Sequence, residues 1–263
     1  MKDFERNVYA INGVDTVVYS AGQGEPLLFL HGAGTFHGAE FARAWTKHFR
    51  VLLPWHPGYA ESADAPGIED MHDYVVHYSD LLDTLGIDKV HLVGFSLGGW
   101  MAARLAIEQR HRVERLVLVA PAGMFDKQIG LVDVLGLPGD QLPAMLVSNF
   151  EVIKPYLPTG PDMDFGIARY REAASTSRLM WEKPWDPKLK RHLYRVNAPT
   201  LILWGDEDRI VPPQYAEVWR KAIPHAEVQM FRGVGHLVLD EDPKAPEVVA
   251  AFLSAPAAKK NAA

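Results

Sequence analysis

The sequence has no cysteine among its 263 residues. That absence excludes disulfides, a thiol nucleophile and cysteine-ligated zinc, and it fits a reducing compartment, so a cytoplasmic location is expected. No apolar run approaches the ~20 residues of a membrane span, and none is predicted. The first residues include Lys2, Asp3, Glu5 and Arg6, which leave no apolar stretch for a signal peptide. A basic block is also missing. Lys and Arg total 27 against 33 Asp and Glu, a formal net charge of −6, so nucleic acid is not an expected partner. There are no internal repeats, and only the tail Ala255 to Ala263, rich in Ala and Lys, is expected to fray. What remains is 48% hydrophobic and 23% charged, a globular chain long enough for one packed core with an insertion.

The apolar pattern predicts an α/β protein. Asn12 and Gly13 between Val8 to Ile11 and Val14 to Ser20 are a hairpin signal, so the chain opens with antiparallel strands. Leu27 to Leu30, Val51 to Leu53, Val90 to Val93, Leu116 to Ala120, Leu201 to Trp204 and Val228 to Phe231 then read as buried strands alternating with helices, the signature of a mostly parallel sheet. One such helix is Met71 to Leu85, whose apolar residues keep to one face. Alternation stops between Ala122 and about Tyr194, where helical pieces are punctuated by seven prolines, from Pro138 to Pro187. The expected architecture is a twisted, mostly parallel sheet of about eight strands with helices on both faces, residues 1–121 and 195–263 forming the core and 122–194 a helical cap.

The chemistry-bearing segment is Gly94, Phe95, Ser96, Leu97, Gly98, Gly99, directly after the strand at 90–93 and before the helix predicted at Trp100 to Gln109. A serine between glycines at a strand-to-helix corner is a nucleophile elbow, which holds the hydroxyl above a parallel sheet. Glycines at 94 and 98 remove Cβ atoms that would collide at so tight a turn, and Gly99 lets the helix pack closely. The helix start aims free N–H groups at the site, with that of Leu97 the first candidate donor to an oxyanion. A serine hydroxyl is a weak nucleophile at neutral pH and needs a base and a group that orients the base. The C-terminal part offers both: Asp206 and Asp208 after the strand at 201–204, and His236 in the loop Gly233, Val234, Gly235, His236. Asp126 is a more distant acid candidate, and Asp206 is also a plausible turn residue.

Taken together, these segments resemble the α/β-hydrolase superfamily over nearly the whole chain. The resemblance implies the chain order Ser96, acid, His236. It selects Asp208 as the acid because Gly205, Asp208 and Pro212 match the family's spacing. Leu30, His31, Gly32, Ala33 resembles its His-Gly loop, which implies the Ala33 N–H as second oxyanion donor and His31 as a structural hydrogen-bonder. The position of the insertion matches a helical lid. Candidate substrate contacts are Gly32, Phe95, Trp100, Phe125, Trp181 and Leu237.

The implied function is that of a carboxylesterase-like serine hydrolase acting on a small, largely apolar molecule, with no cofactor and no metal. Carbon-carbon hydrolysis of ring-cleavage products, or perhydrolase and haloperoxidase chemistry, is the alternative on the same triad. The carbon-carbon hydrolases usually carry asparagine before the nucleophile and tryptophan after the histidine, where this chain has Phe95 and Leu237. A ligand receptor with a slow triad, like the plant karrikin and strigolactone receptors, is the third reading. Three other groups read as structural. Asp70, His72, Asp73 and His77 complement a helix start rather than bind a metal. His56 belongs to a Pro-Gly-aromatic loop that resembles a family element near the pocket. Arg169, Arg171 and Arg178 read as a solvated helix face, with a substrate carboxylate as their functional alternative.

Overall fold

The computed structural model describes residues 1–256; the rest of the tail expected to fray, 257–263, lies outside the described residues. Eight strands form one sheet: β1 (Glu5–Ile11), β2 (Val14–Ala21), β3 (Glu25–Leu30), β4 (Phe49–Pro54), β5 (Val90–Phe95), β6 (Val113–Val119), β7 (Thr200–Gly205) and β8 (Glu227–Phe231). Their spatial order is β1-β2-β4-β3-β5-β6-β7-β8. β1 and β2 form an antiparallel hairpin and β2 runs antiparallel to β4, whereas every pairing from β4 through β3 to β8 is parallel. Asn12 (φ 48°) and Gly13 (φ 80°) both take left-handed angles at the hairpin turn, a twist that matches the strands on either side.

The helices are α1 (Met71–Thr84), α2 (Leu97–Glu108), α3 (Leu142–Leu146), α4 (Met163–Met180), α5 (Leu189–His192), α6 (Tyr215–Ala222), α7 (Val238–Glu241) and α8 (Lys244–Ser254). α1 packs on α2, which reaches α5 and α6 through a 3-10 turn at Leu193–Arg195, while α8 packs with α7 and with a 3-10 stretch at Glu40–Lys47. β5 and β7 are buried along their whole length, which is why they read in sequence as unbroken apolar runs rather than alternating ones. Edge strand β8 is half-buried.

Local signals account for the residues set aside as structural. Asp70 caps α1, accepting from the N–H groups of His72 and Asp73, while Asp73 accepts from the Asp70 N–H. His72 pairs with Glu108 at 2.9 Å and His77 is buried 3.1 Å from the Thr16 hydroxyl. The chain leaves β3 toward β4 on one side and enters β5 on the other. This reversal opens a crevice at the carboxyl ends of β3 and β5, where open α/β sheets place their ligands.

Candidate active site

Ser96 stands at that crevice with φ 52° and ψ −116°, a conformation a residue with a Cβ adopts at a cost of roughly 1–3 kcal/mol. The surrounding backbone enforces it. The Ser96 N–H donates to Val119 O at 2.9 Å, and Ser96 O accepts from Gly99, Trp100 and Ala122 at 2.9, 3.2 and 3.0 Å. A Cβ at position 98 would lie 2.1 Å from Leu30 O, and one at 94 would lie 2.3 Å from Gly98 O. Strand and helix therefore approach at distances that only glycine permits. α2 begins at Leu97, three residues before the helix predicted from Trp100, because these close contacts override the usual cost of glycines in a helix.

The residues expected as acid and base come from loops after β7 and β8. His236 Nδ1 lies 2.7 Å from Asp208 Oδ2, and both side chains are buried. The other Asp208 oxygen, Oδ1, accepts from the N–H groups of Ile210 and Val211 at 2.8 and 2.9 Å. With Nδ1–H donated to Asp208, His236 keeps Nε2 for the cavity it shares with Ser96. Among the described residues no hydrogen bond joins Ser96 to His236, and such contacts are often loose until substrate binds. A Cβ on Gly205 would sit 2.2 Å from both Val234 O and Gly235 O, so the two loops meet backbone to backbone. Asp206, two residues before Asp208, accepts from the Gly233 N–H at 2.7 Å, bracing the histidine loop rather than its own backbone. Asp126 accepts from the Gln128 N–H at 2.9 Å, away from His236.

Ala33 and Leu97 both line the cavity. Among the described residues neither N–H donates to a protein acceptor. A Cβ at Gly32 would lie 2.9 Å from Cε1 of Phe95 and 3.2 Å from the Ser96 Cβ, which shows how tightly the 31–34 loop crosses the elbow. His31 holds that loop from behind. Its Nδ1–H donates to Gly32 O at 2.7 Å and its Nε2 accepts the His56 N–H at 2.9 Å; His56 Nε2–H donates to His31 O at 2.8 Å and its Nδ1 accepts from the Tyr78 hydroxyl. The two rings stack at 3.5 Å. Burial lowers the His31 pKa to about 3 and holds that of His56 well below its usual value, so both rings are neutral braces.

The cavity encloses about 370 Å³ and is walled by residues of the segment that joins β6 to β7, Leu135, Leu142, Leu146, Phe165 and Met180 among them. Phe95 and Leu237 are on its wall. The other expected substrate contacts are not. Gly32 sits behind Ala33; Trp100, one turn along α2, has its ring against Gly123, where a Cβ would lie 2.5 Å from Trp100 Cγ. Phe125 stacks on Trp185 at 4.6 Å and lines a neighbouring cavity with Trp181, itself 78% exposed.

The arginines of α4 separate. Arg171 donates to Ala60 O and Ser62 O, and Arg178 to Asp64 at 2.9 Å, on the rim. Arg169 lines the cavity, 5.6 Å from the Phe36 ring and 5.2 Å from the Phe165 ring. Its Nη2–H donates to buried Glu172 at 2.9 Å, while Nε and Nη1 are buried without a partner among the described residues. Glu172 also accepts from the Thr35 N–H at 3.3 Å and the Thr35 hydroxyl, and burial raises its pKa. Thr35 and Glu172 were not legible as site residues, since only tertiary contact brings α4 over the 31–37 loop. Glu241 is similarly hidden: its carboxylate accepts from Gly235, Ser148 and Asn149 N–H groups at 2.7, 2.7 and 3.0 Å, tying the histidine loop to the segment between β6 and β7.

The sequence matches the profile of the alpha/beta hydrolase family over residues 27–251, and the chain belongs to that family. It is 28% identical over 249 residues to the 2-hydroxy-6-oxo-2,4-heptadienoate hydrolase of Pseudomonas putida, covering 86% of this chain and 87% of the relative. It is 26% identical over 257 residues to Lipase 1 of Psychrobacter immobilis, covering 91% and 80%. Among solved structures, the meta-cleavage product hydrolase of Pseudomonas fluorescens IP01 has the same fold, with a TM-score of 0.80 at 21% identity over 94% of this chain and 97% of that one. Among the described residues no helix is long and apolar enough to cross a membrane.

Proposed function

We propose that the protein is a serine hydrolase that cleaves a carboxylic ester, or a related lactone or thioester, through an acyl-enzyme on Ser96. The observation that carries this reading is the buried Asp208–His236 pair at 2.7 Å, opening onto the cavity that also holds the strained Ser96 elbow. In this reading His236 Nε2 takes the Ser96 proton as Oγ attacks the carbonyl. Asp208 fixes the tautomer and stabilises the imidazolium. The Ala33 and Leu97 N–H groups receive the oxyanion, each worth roughly 2.7–4 kcal/mol in the transition state. His236 then protonates the leaving alcohol, and water repeats the cycle on the acyl group. No cofactor is required. The insertion 122–194 serves as the lid that selects the substrate.

Carbon-carbon hydrolysis is the second reading, and one feature favours it: two buried guanidinium nitrogens of Arg169, Nε and Nη1, are without a partner among the described residues and lie at the same cavity, where an anionic group could pair with them. The Pseudomonas putida relative is named for a dienoate. Phe95 and Leu237 weigh against this reading. The test is a screen of aryl esters of graded acyl length beside a lactone and a dienoic diketone, with fluorophosphonate labelling of wild type and Ser96→Ala. Ester turnover and labelling that both vanish in Ser96→Ala are expected. Diketone cleavage far above ester turnover would install the second reading, and turnover retained by Ser96→Ala would refute both.

A further inference from the structure

The outward face of α4 carries a pattern that the pocket does not use. Met163, Ile167, Tyr170, Ala174, Ser177 and Trp181 follow one another at alternating spacings of four and three residues. Trp181 continues the helix, its N–H donating to Ser177 O at 2.9 Å. A 3.5-residue repeat of this kind is the seam by which one helix packs along another. The opposite face, with Phe165, Glu172 and Leu179, is turned inward. On the seam the large side chains are left in solvent: Met163 is 78% exposed, Ile167 52%, Tyr170 77% and Trp181 78%.

We infer that this face docks on the same face of a second copy of the chain, α4 against α4 in antiparallel register about a two-fold axis near Glu172. Antiparallel pairing sets large residues opposite small or flexible ones. Tyr170 meets Ala174 of the second copy, Ile167 meets its Ser177, and Met163 meets its Trp181, each contact occurring twice, as a self-complementary two-fold interface requires. The charges flanking the seam agree. Asp164 comes to lie beside Arg178 of the second copy at both ends; Arg178 bonds Asp64 and Ser175 of its own chain through Nη2 alone, which leaves Nε and Nη1 to face Asp164, and opposite charges in these positions set partner and orientation in paired helices. Arg171, next to the axis, is drawn aside by the Ala60 and Ser62 carbonyls, which relieves the one like-charge encounter. A parallel pairing would instead set Arg171 beside Gly166 and Arg178 beside Ala173, with no Asp164–Arg178 pair. The antiparallel register places Ala173 opposite Ala173, small enough for close approach.

The experiment is sedimentation velocity on the full chain up to about 100 μM, where even modest contacts register, with wild type, Tyr170→Glu, and the charge variants Asp164→Arg, Arg178→Asp and their combination. A wild-type dimer is expected, dissociated at least tenfold more readily by Tyr170→Glu. Each single charge reversal weakens it, and the combination recovers affinity over either single variant. The cysteine-free chain also permits spin labels at single sites. Labels at Arg171→Cys are expected close together, and those at Asp164→Cys roughly 24 Å apart along the axis at 1.5 Å per residue. A wild type that is monomeric throughout overturns the inference, as does a dimer indifferent to Tyr170→Glu. A short separation at Asp164→Cys overturns the antiparallel register. Monomers that adsorb to phosphatidylcholine vesicles, and lose this with Tyr170→Glu, assign the face to lipid instead. Because Tyr170 lies outside the core, its loss leaves the fold intact. The readout is assembly rather than turnover, so the outcome is independent of the hydrolase reading.

Discussion

The strand-end loops and the segment between β6 and β7 are held by different kinds of contact. Around Ser96, Asp208 and His236 the fixing interactions run mainly through the backbone: Ser96 N to Val119 O, Asp208 Oδ1 on two successive N–H groups, and glycines where a Cβ would meet a carbonyl at 2.1–2.3 Å. The segment between β6 and β7 is attached largely through side chains, such as Glu172 on Thr35, Tyr59 on Thr176 at 2.8 Å, Arg178 on Asp64 and Glu241 on Ser148. Backbone contacts survive most substitutions and side-chain contacts do not. The difference implies a scaffold in which the proposed chemistry is fixed while the pocket above it is free to diverge, consistent with relatives that include both a dienoate hydrolase and a lipase.

The sharpest way to break that contrast is inside the first region. Asp208→Asn is expected to lower kcat/KM by about 10⁴-fold by spoiling the histidine tautomer, whereas Asp206→Asn, which keeps an oxygen for the Gly233 N–H, is expected to stay within a few-fold of wild type by ~1 kcal/mol reasoning for one neutral hydrogen bond. Steady-state kinetics on one aryl ester compare them directly. Equal losses would mean that the two aspartates share the role.

The second effect concerns stability. His31 holds a pKa of about 3 and His77 of about 4 in the folded protein, both lowered mainly by burial from a usual 6.5. Between these values the unfolded chain binds the extra proton and the folded one does not. Stability is therefore full above pH 6.5 and falls as pH drops through that window, by up to about 1.4 kcal/mol per pH unit for each histidine. Thermal melts from pH 7 to 5 are expected to show a declining Tm, and His77→Gln to flatten the decline. A pH-independent Tm would contradict the neutral-brace assignment.

Smaller effects are expected in the segment between β6 and β7. Arg169→Met should lower kcat/KM by roughly 10- to 100-fold for substrates carrying a carboxylate, the worth of a charge-assisted contact, and leave neutral esters almost unchanged. Equal effects on both substrate classes would reduce Arg169 to packing. Glu241→Gln places an NH₂ group against one of three N–H donors and is expected to cost about tenfold in kcat with KM little altered, the size of one disturbed hydrogen bond to a charged group. If KM rises instead, Glu241 supports the pocket and not the histidine loop.

How much of this was legible follows the same division. The eight strands, the hairpin at Asn12-Gly13, the elbow and the Asp208 and His236 loops announce themselves locally, because each depends on periodicity, glycine or short spacing. The lining of the cavity does not. Trp100, Phe125 and Trp181 are large, apolar and close in sequence to the right elements, yet helix rotation and stacking turn them elsewhere. Arg169, Glu172 and Thr35 meet only because α4 crosses the 31–37 loop, a contact between positions more than a hundred residues apart. Arg169 could not be told from Arg171 and Arg178 by sequence, since all three lie on one helix and differ only in what faces them.

The measurement closest to the central claim is mass spectrometry of the protein quenched during turnover of a slowly hydrolysed aryl ester. An acyl group on the peptide containing Ser96, absent in Ser96→Ala, is the predicted result. An unmodified Ser96 during sustained turnover, or an acyl group that persists elsewhere when Ser96 is replaced, would contradict it.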